Sequence, residues 1–138
     1  MNEQRFVVDT NTLVSAVLMA GSVPDQAVRR ARTLGTLLIS PETLDELAEV
    51  LSREKFDRYV SWEKRQEFLE AMADQSVVVD PVERIQASRD TGDNMFLDVA
   101  VEGKALAIIT GDGDLLELHP YRGIAIVKPA SFIERQWG

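Results

Sequence analysis

The chain has 138 residues, enough for one domain with a substantial core and too few for two, so a single domain over 1–138 is expected. It has no cysteine and one histidine, His119, which excludes disulfides and thiolate chemistry and argues against a multi-histidine zinc site or a histidine-based triad. A net charge of −8, from 23 acids against 15 bases, opposes non-specific polyanion binding unless some of the acids hold cations.

The predicted elements alternate strand and helix. RFVVD (5–9) reads as a short buried strand and TLVSAVLMA (12–20) as a helix. The apolar core of that helix is preceded by Asp9 rather than by a basic start, so it reads as a buried helix, not a signal segment; no membrane partner is expected. VPDQAVRRARTL (23–34) places Val23, Ala27, Val28, Ala31 and Leu34 at helical spacing. TLLIS (36–40) is a second strand, and Ser40-Pro41 opens a helix with a capping hydroxyl and a proline at its first position. Its apolar face is Leu44, Leu47, Ala48 and Leu51. Residues 54–75 read as further helix broken near Ser61, and SVVVD (76–80) as a third strand stopped by Pro81. TGDNMFLDVAVEGK (91–104) is a helix, LAIIT (106–110) a fourth strand, IAIV (124–127) a fifth, and PASFIERQW a closing helix. Short apolar strands alternating with helices predict an α/β fold whose parallel sheet is covered on both faces.

In such a sheet ligands bind beyond the carboxyl ends of the strands, near the point where strand order reverses. Strand one runs into Asp9, and strand four runs into Thr110 and then Gly111-Asp112-Gly113-Asp114. If those strands are neighbours, their acids meet at one edge. Asp93 opens the helix before strand four, where the helix start is expected to favour its ionised form. Glu42, Asp45, Glu46 and Glu49 follow strand two. Taken singly, each acid has an ordinary explanation: Asp-Gly is turn chemistry, and an aspartate at a helix start is a cap. Together they form a cluster that repels itself unless a cation sits in it, and an all-oxygen set suits hard ions such as Mg²⁺ or Mn²⁺. Gly111 and Gly113 are expected to give the sharp turn that aims Asp112 and Asp114. Asp98, five positions past Asp93, is expected to be solvated, and Asp25, Asp57, Asp74 and Asp80 show no convergent partner.

Four blocks, FVVDTNTLVSA (6–16), ELAEVLSREKF (46–56), DTGDNMFLDVA (90–100) and ALAIITGDGDLL (105–116), together resemble the PIN-domain family, and in particular its VapC-like branch of bacterial toxin components. The resemblance implies a three-layer α/β/α fold with a central, mainly parallel five-stranded sheet. It implies metal-dependent endonucleolytic cleavage of RNA in the cytoplasm, a cognate antitoxin protein as inhibitor and a homodimer. Position by position, the family's acids match Asp9, Glu46, Asp93 and Asp112, taken as catalytic residues and as ligands of one or two Mg²⁺ or Mn²⁺ ions. Asp114 matches a further acidic position, and Asn11 and Thr110 match supporting polar positions. Setting the site acids aside and adding divalent ions brings the charge close to neutral. Arg29, Arg30 and Arg32, with Arg53, Lys55 and Arg58, are then candidates for a phosphate-contacting rim.

Two alternatives stand beside this. Asp9-Thr10-Asn11, Ser40, Lys104 and the 111–114 loop imitate the motifs of a haloacid-dehalogenase-type phosphatase, although Asn11 stands where that family has its general acid. The other is a metal-loaded PIN-like domain that binds a partner and cleaves nothing.

Overall fold

The computed structural model describes residues 3–138. Five strands, β1 (Gln4–Val8), β2 (Gly35–Ile39), β3 (Val77–Val78), β4 (Ala107–Ile109) and β5 (Ala125–Val127), form one sheet in the order β3-β2-β1-β4-β5. Every pairing is parallel. The helices are α1 (Thr10–Leu18), α2 (Val23–Leu34), α3 (Pro41–Leu51), α4 (Trp62–Gln75), α5 (Asn94–Glu102), α6 (Gly113–Leu116) and α7 (Pro129–Glu134).

The two-residue period of the strands sorts their side chains into two cores. Phe6, Val8, Leu37, Ile39 and Ile109 face the layer of α1, α2, α3, α4 and α7, packing on Leu13, Ala27, Leu47, Met72 and Phe132. Val7, Leu38, Ile108 and Ile126 face the other way, onto Phe96, Leu97, Val99 and Ala100 of α5 and Leu115 of α6. The result is the expected α/β/α arrangement. Among the described residues, no helix is long and apolar enough to cross a membrane.

Local signals set the helix starts. Ser22, Ser40 and Ser61 each accept a hydrogen bond from the backbone N–H three residues on, so the break expected near Ser61 is the cap of α4. Ahead of α4 there is only a 3-10 turn, Glu54–Phe56, instead of continuous helix. Arg65 fills the gap. It is 1% exposed, donates to the carbonyls of Leu51, Arg53 and Val60, and pairs with Asp57.

Several expectations need correction. β3 is two residues long and exposed, at the edge of the sheet with β2 as its one pairing partner. The helix expected over 91–104 is a 3-10 turn, Thr91–Asp93, followed by α5. Residues 113–116, read as a turn, form the short α6. Asp25 does have partners: it accepts from the Gly21 N–H at 2.8 Å and from Arg29 at 3.0 Å.

Candidate metal and active site

β1 lies between β2 and β4, so the chain leaves it in one direction and returns on its other side. This is the order reversal at which parallel sheets open a crevice. Val8 pairs with Ile109, and the Asp9 N–H extends the ladder to the Ile109 carbonyl. The ends of β1 and β4 therefore deliver Asp9 and Thr110 side by side.

Asp9 is 4% exposed and caps α1, Oδ1 accepting from the Thr12 N–H at 3.0 Å. Its Oδ2 accepts from the Thr110 hydroxyl at 2.5 Å. The same hydroxyl oxygen accepts from the Asp112 N–H at 2.9 Å, so Thr110 ties the first acid to the loop that carries the fourth. Asp112 in turn caps α6 through Oδ2 and the Leu115 N–H, at 3.0 Å. Neither Gly111 nor Gly113 has a positive φ, so the turn between β4 and α6 is made without left-handed backbone.

Asp93 reaches the same place from the start of α5, across the sheet from α1. It precedes α5 yet makes no capping hydrogen bond, so helix capping does not account for it. Carboxylate oxygens of Asp90, Asp93, Asp112 and Asp114 lie within 4.8 Å of one another. Asp90 was not singled out in the sequence. Its only local signal is the Asp-Thr-Gly-Asp spacing, in which Asp90 accepts from the Gly92 N–H and brings both acids to one side of a single turn. Asp9 and Glu46 lie outside that closest group, but they line one cleft of about 200 Å³ with Asp90, Asp93 and Asp112. Among the described residues, five carboxylates and no basic side chain line this cleft.

Residues 79–90 have no regular structure, and α5 pins them. Asp98 Oδ1 accepts from the Ile85 N–H at 2.7 Å, and Asn94 Oδ1 from the Ser88 N–H at 2.9 Å. The Ser88 hydroxyl accepts from the Asp90 N–H at 3.3 Å and stands 3.5 Å from Asp93 Oδ2. Asp98 is thus 5% exposed and engaged with backbone, with Arg84 at 3.5 Å, instead of solvated.

Crowding governs the titration of the cluster. Asp93 is pushed up to about 8, by burial first, then by the hydrogen bond and charge of Asp112, then by Asp90 and Asp9. This reverses the expectation that the helix start would favour its ionised form: burial and three neighbouring carboxylates outweigh the backbone N–H groups. Asp112 moves down, chiefly through the hydrogen bond from Asp93, so the two share a proton. Burial also raises Asp9, opposed by its bonds to Thr110 and Thr12. Glu46 is raised by burial, with the Thr10 hydroxyl opposing and the Asp9 charge adding.

The donor set fits a hard divalent cation. All of it is oxygen, and Glu46 Oε2 is buried with no hydrogen-bond partner, a costly state for a carboxylate oxygen that a cation would relieve. Asn11 is exposed at the mouth of the cleft. The basic residues considered for a rim do not line it: Arg29 pairs with Asp25 and Arg53 with Glu49.

The imitation of a phosphatase does not survive the topology. Lys104 precedes β4 and borders a cavity with Glu3, Gln4 and Arg5, beside the strand starts rather than the strand ends. Ser40 is committed to capping α3 through a reciprocal pair with Thr43.

Residues 5–114, which include every acid of the cluster, match the family described as PIN domain. An uncharacterized protein of Methanocaldococcus jannaschii, MJ1680, is 33% identical over 117 residues, covering 83% of this chain and 75% of that one. The crystal structure of PAE2754 from Pyrobaculum aerophilum is similar with a TM-score of 0.61 at 17% identity, over 95% of this chain and 88% of that one. VapBC2 from Rickettsia felis, solved bound to a DNA fragment from its promoter, gives a TM-score of 0.61 at 14% identity, over 89% of this chain and 97% of that one. At such identities the two solved structures speak for the fold, while the match over residues 5–114 speaks for the family: the chain belongs to the PIN-domain family.

Proposed function

We propose that the protein is a metal-dependent endoribonuclease, the toxin of a toxin–antitoxin pair, acting as a single domain in the cytoplasm. The observation that carries the reading is the cleft where Asp9, Glu46, Asp90, Asp93 and Asp112 meet with no basic residue among them. Carboxylates so arranged repel one another and any phosphate, and the arrangement makes sense once one or two Mg²⁺ or Mn²⁺ ions are held there.

Asp9, Glu46, Asp93 and Asp112 are the proposed catalytic ligands, with Asp114 as a further one; Asp90 joins them on the strength of its distance to Asp93 and Asp112. Bound divalent ions would supply Lewis acidity, activating the attacking water and offsetting charge on the phosphate and the leaving oxygen. The chain's own residues do the rest. Thr110 donates to Asp9 and fixes its orientation. On binding a cation, Asp93 and Asp112 would give up their shared proton. The Asn11 amide, which lines the cleft, is the proposed partner of a phosphate oxygen. No histidine is needed as a base.

A protein antitoxin and a homodimeric state are proposed for this chain on its resemblance to VapC-like toxins, and the likeness in fold to VapBC2 supports that reading. The test is cleavage of a panel of single-stranded and structured RNAs with Mg²⁺, Mn²⁺ or EDTA, by wild type and Asp9→Asn, beside a phosphatase substrate. Metal-dependent RNA cleavage that the variant loses supports the reading. Phosphate release without RNA cleavage, or metal binding with no cleavage of any RNA, would overturn it; the latter leaves a binding-only domain.

A further inference from the structure

A second cleft, of about 350 Å³, opens on the other side of Asp9, Asn11 and Asp112. These three residues border both clefts, so the two adjoin, with the shared residues as the ridge between them. Their chemistry differs sharply. Beyond the shared residues, the second cleft has only uncharged walls: Thr12, Ser15, Pro24, Gly111 and Pro129.

Each wall is built for a reason legible in the fold. Asn11 and Ser15 are both exposed and lie four residues apart on α1, so they project from one strip of its surface. Pro24 and Pro129 occupy the first turns of α2 and α7, which pack on each other, so their rings are held in place. Nothing lies within 4 Å of where a Gly111 Cβ would stand, and the residue has no positive φ. Neither packing nor backbone requires glycine there; what it preserves is open space beside Asp112.

We infer that this cleft seats the base of the nucleotide adjoining the scissile phosphate, and so sets base preference at the cut. The inference rests on the nuclease reading above. A strand lying across the ridge brings one charged phosphate to the acids and their cation, while the neighbouring base is flat and neutral. Uncharged walls accept it without repulsion. Proline rings offer apolar faces, and the Ser15 hydroxyl and Asn11 amide offer donors and acceptors to a base edge. The volume sits at the low end of small-ligand sites, roughly 300–1,000 Å³, which suits one nucleoside and not a duplex. A peptide is the competing occupant, and the three residues shared with the phosphate-handling cleft favour the nucleotide.

Two substitutions at exposed Ser15 test this without threatening the core. Ser15→Ala removes the hydroxyl, and Ser15→Leu fills the cleft. In the active protein with Mg²⁺, a randomised RNA pool is cleaved and the product ends are sequenced. In the Asp9→Asn background with Mg²⁺, where the strand persists, the affinity of short fluorescent RNA homopolymers is measured. Ser15→Ala should change the base distribution beside the cut. Ser15→Leu should weaken RNA binding about tenfold, the size of one lost base contact, and lower the preference among homopolymers. Cleavage that continues with unchanged base distribution and unchanged affinity in both variants overturns the subsite while leaving the nuclease standing, and points to a protein segment as the occupant. Absence of cleavage by the active protein overturns the nuclease reading; the homopolymer affinities then decide the subsite by themselves, an effect of Ser15→Leu upholding it and no effect overturning it.

Discussion

Asp93 and Asp112 stand at the starts of two helices, α5 and α6, on the same face of the sheet and share one proton: the first is pushed up to about 8 and the second is drawn down by the hydrogen bond between them. Protonation of Asp93 is therefore tied to the folded state. Its ordinary value is 3.8, so between that value and about 8 the folded protein binds a proton that the unfolded chain has released. With metal removed by EDTA, stability is fully present below about pH 4 and falls as pH rises toward 8, as far as this group is concerned. Urea midpoints at pH 5 and pH 8 should show the decline. Asp93→Asn should flatten it, and Mg²⁺ at pH 8 should restore the loss in wild type alone. A pH-independent midpoint in the metal-free protein would contradict the shared proton.

Thr110→Val keeps the shape of the side chain and removes the hydroxyl that joins Asp9 Oδ2 to the Asp112 N–H. Both acids remain, each with its helix-capping bond, but the tie between them is gone. Metal affinity by calorimetry should drop about 10–100-fold, as when groups that orient metal ligands are lost. Thr110→Ser should recover most of it. Equal affinity in valine and serine variants would show that the hydroxyl does not orient the ligands.

Asp98→Asn leaves a buried side chain in place but weakens its hold on the Ile85 N–H and on Arg84. Stability should fall by about 1–3 kcal/mol, the range for disturbing a buried hydrogen-bonded charge. Hydrogen exchange should quicken at Ile85 and onward to Ser88, and metal affinity should weaken although Asp98 is no ligand. Asp57→Asn, equally acidic in origin but remote from residues 79–90, is the control: it should lose stability without losing metal affinity.

The elements whose patterns are local were legible. The α2 segment, with apolar residues at helical spacing, and the Ser40-Pro41 start of α3 stand where the sequence puts them. So do the apolar runs that become β1, β2 and β4, and with them the meeting of Asp9 and Thr110. Glu46, Asp93 and Asp112, which the four sequence blocks single out, all line the cleft with Asp9. What escaped reading lies in residues 79–93. That segment has no period of its own, and its path is set by Asp98 and Asn94 on a helix that comes later in the chain. The place of Asp90 in the cleft is not legible for that reason, and Asp98 reads as a solvated acid because its partner is a backbone N–H, which no side-chain pattern announces. α6 is too short for periodicity to register, and Asp112 both caps it and faces Asp93.

The bond from Thr110 to Asp9 spans 101 positions of chain. It joins two strands that touch only after everything between them has been made and folded. A chain interrupted before β4 would carry Asp9, Glu46, Asp90 and Asp93 and still have no cleft, because the wall holding Asp112 would be missing. Pairing so distant is slow to form and gains nothing until it closes. The order of synthesis therefore acts as a timer: the groups that would bind metal are translated early, and they come into register with one another only when the second half of the sheet docks on the first.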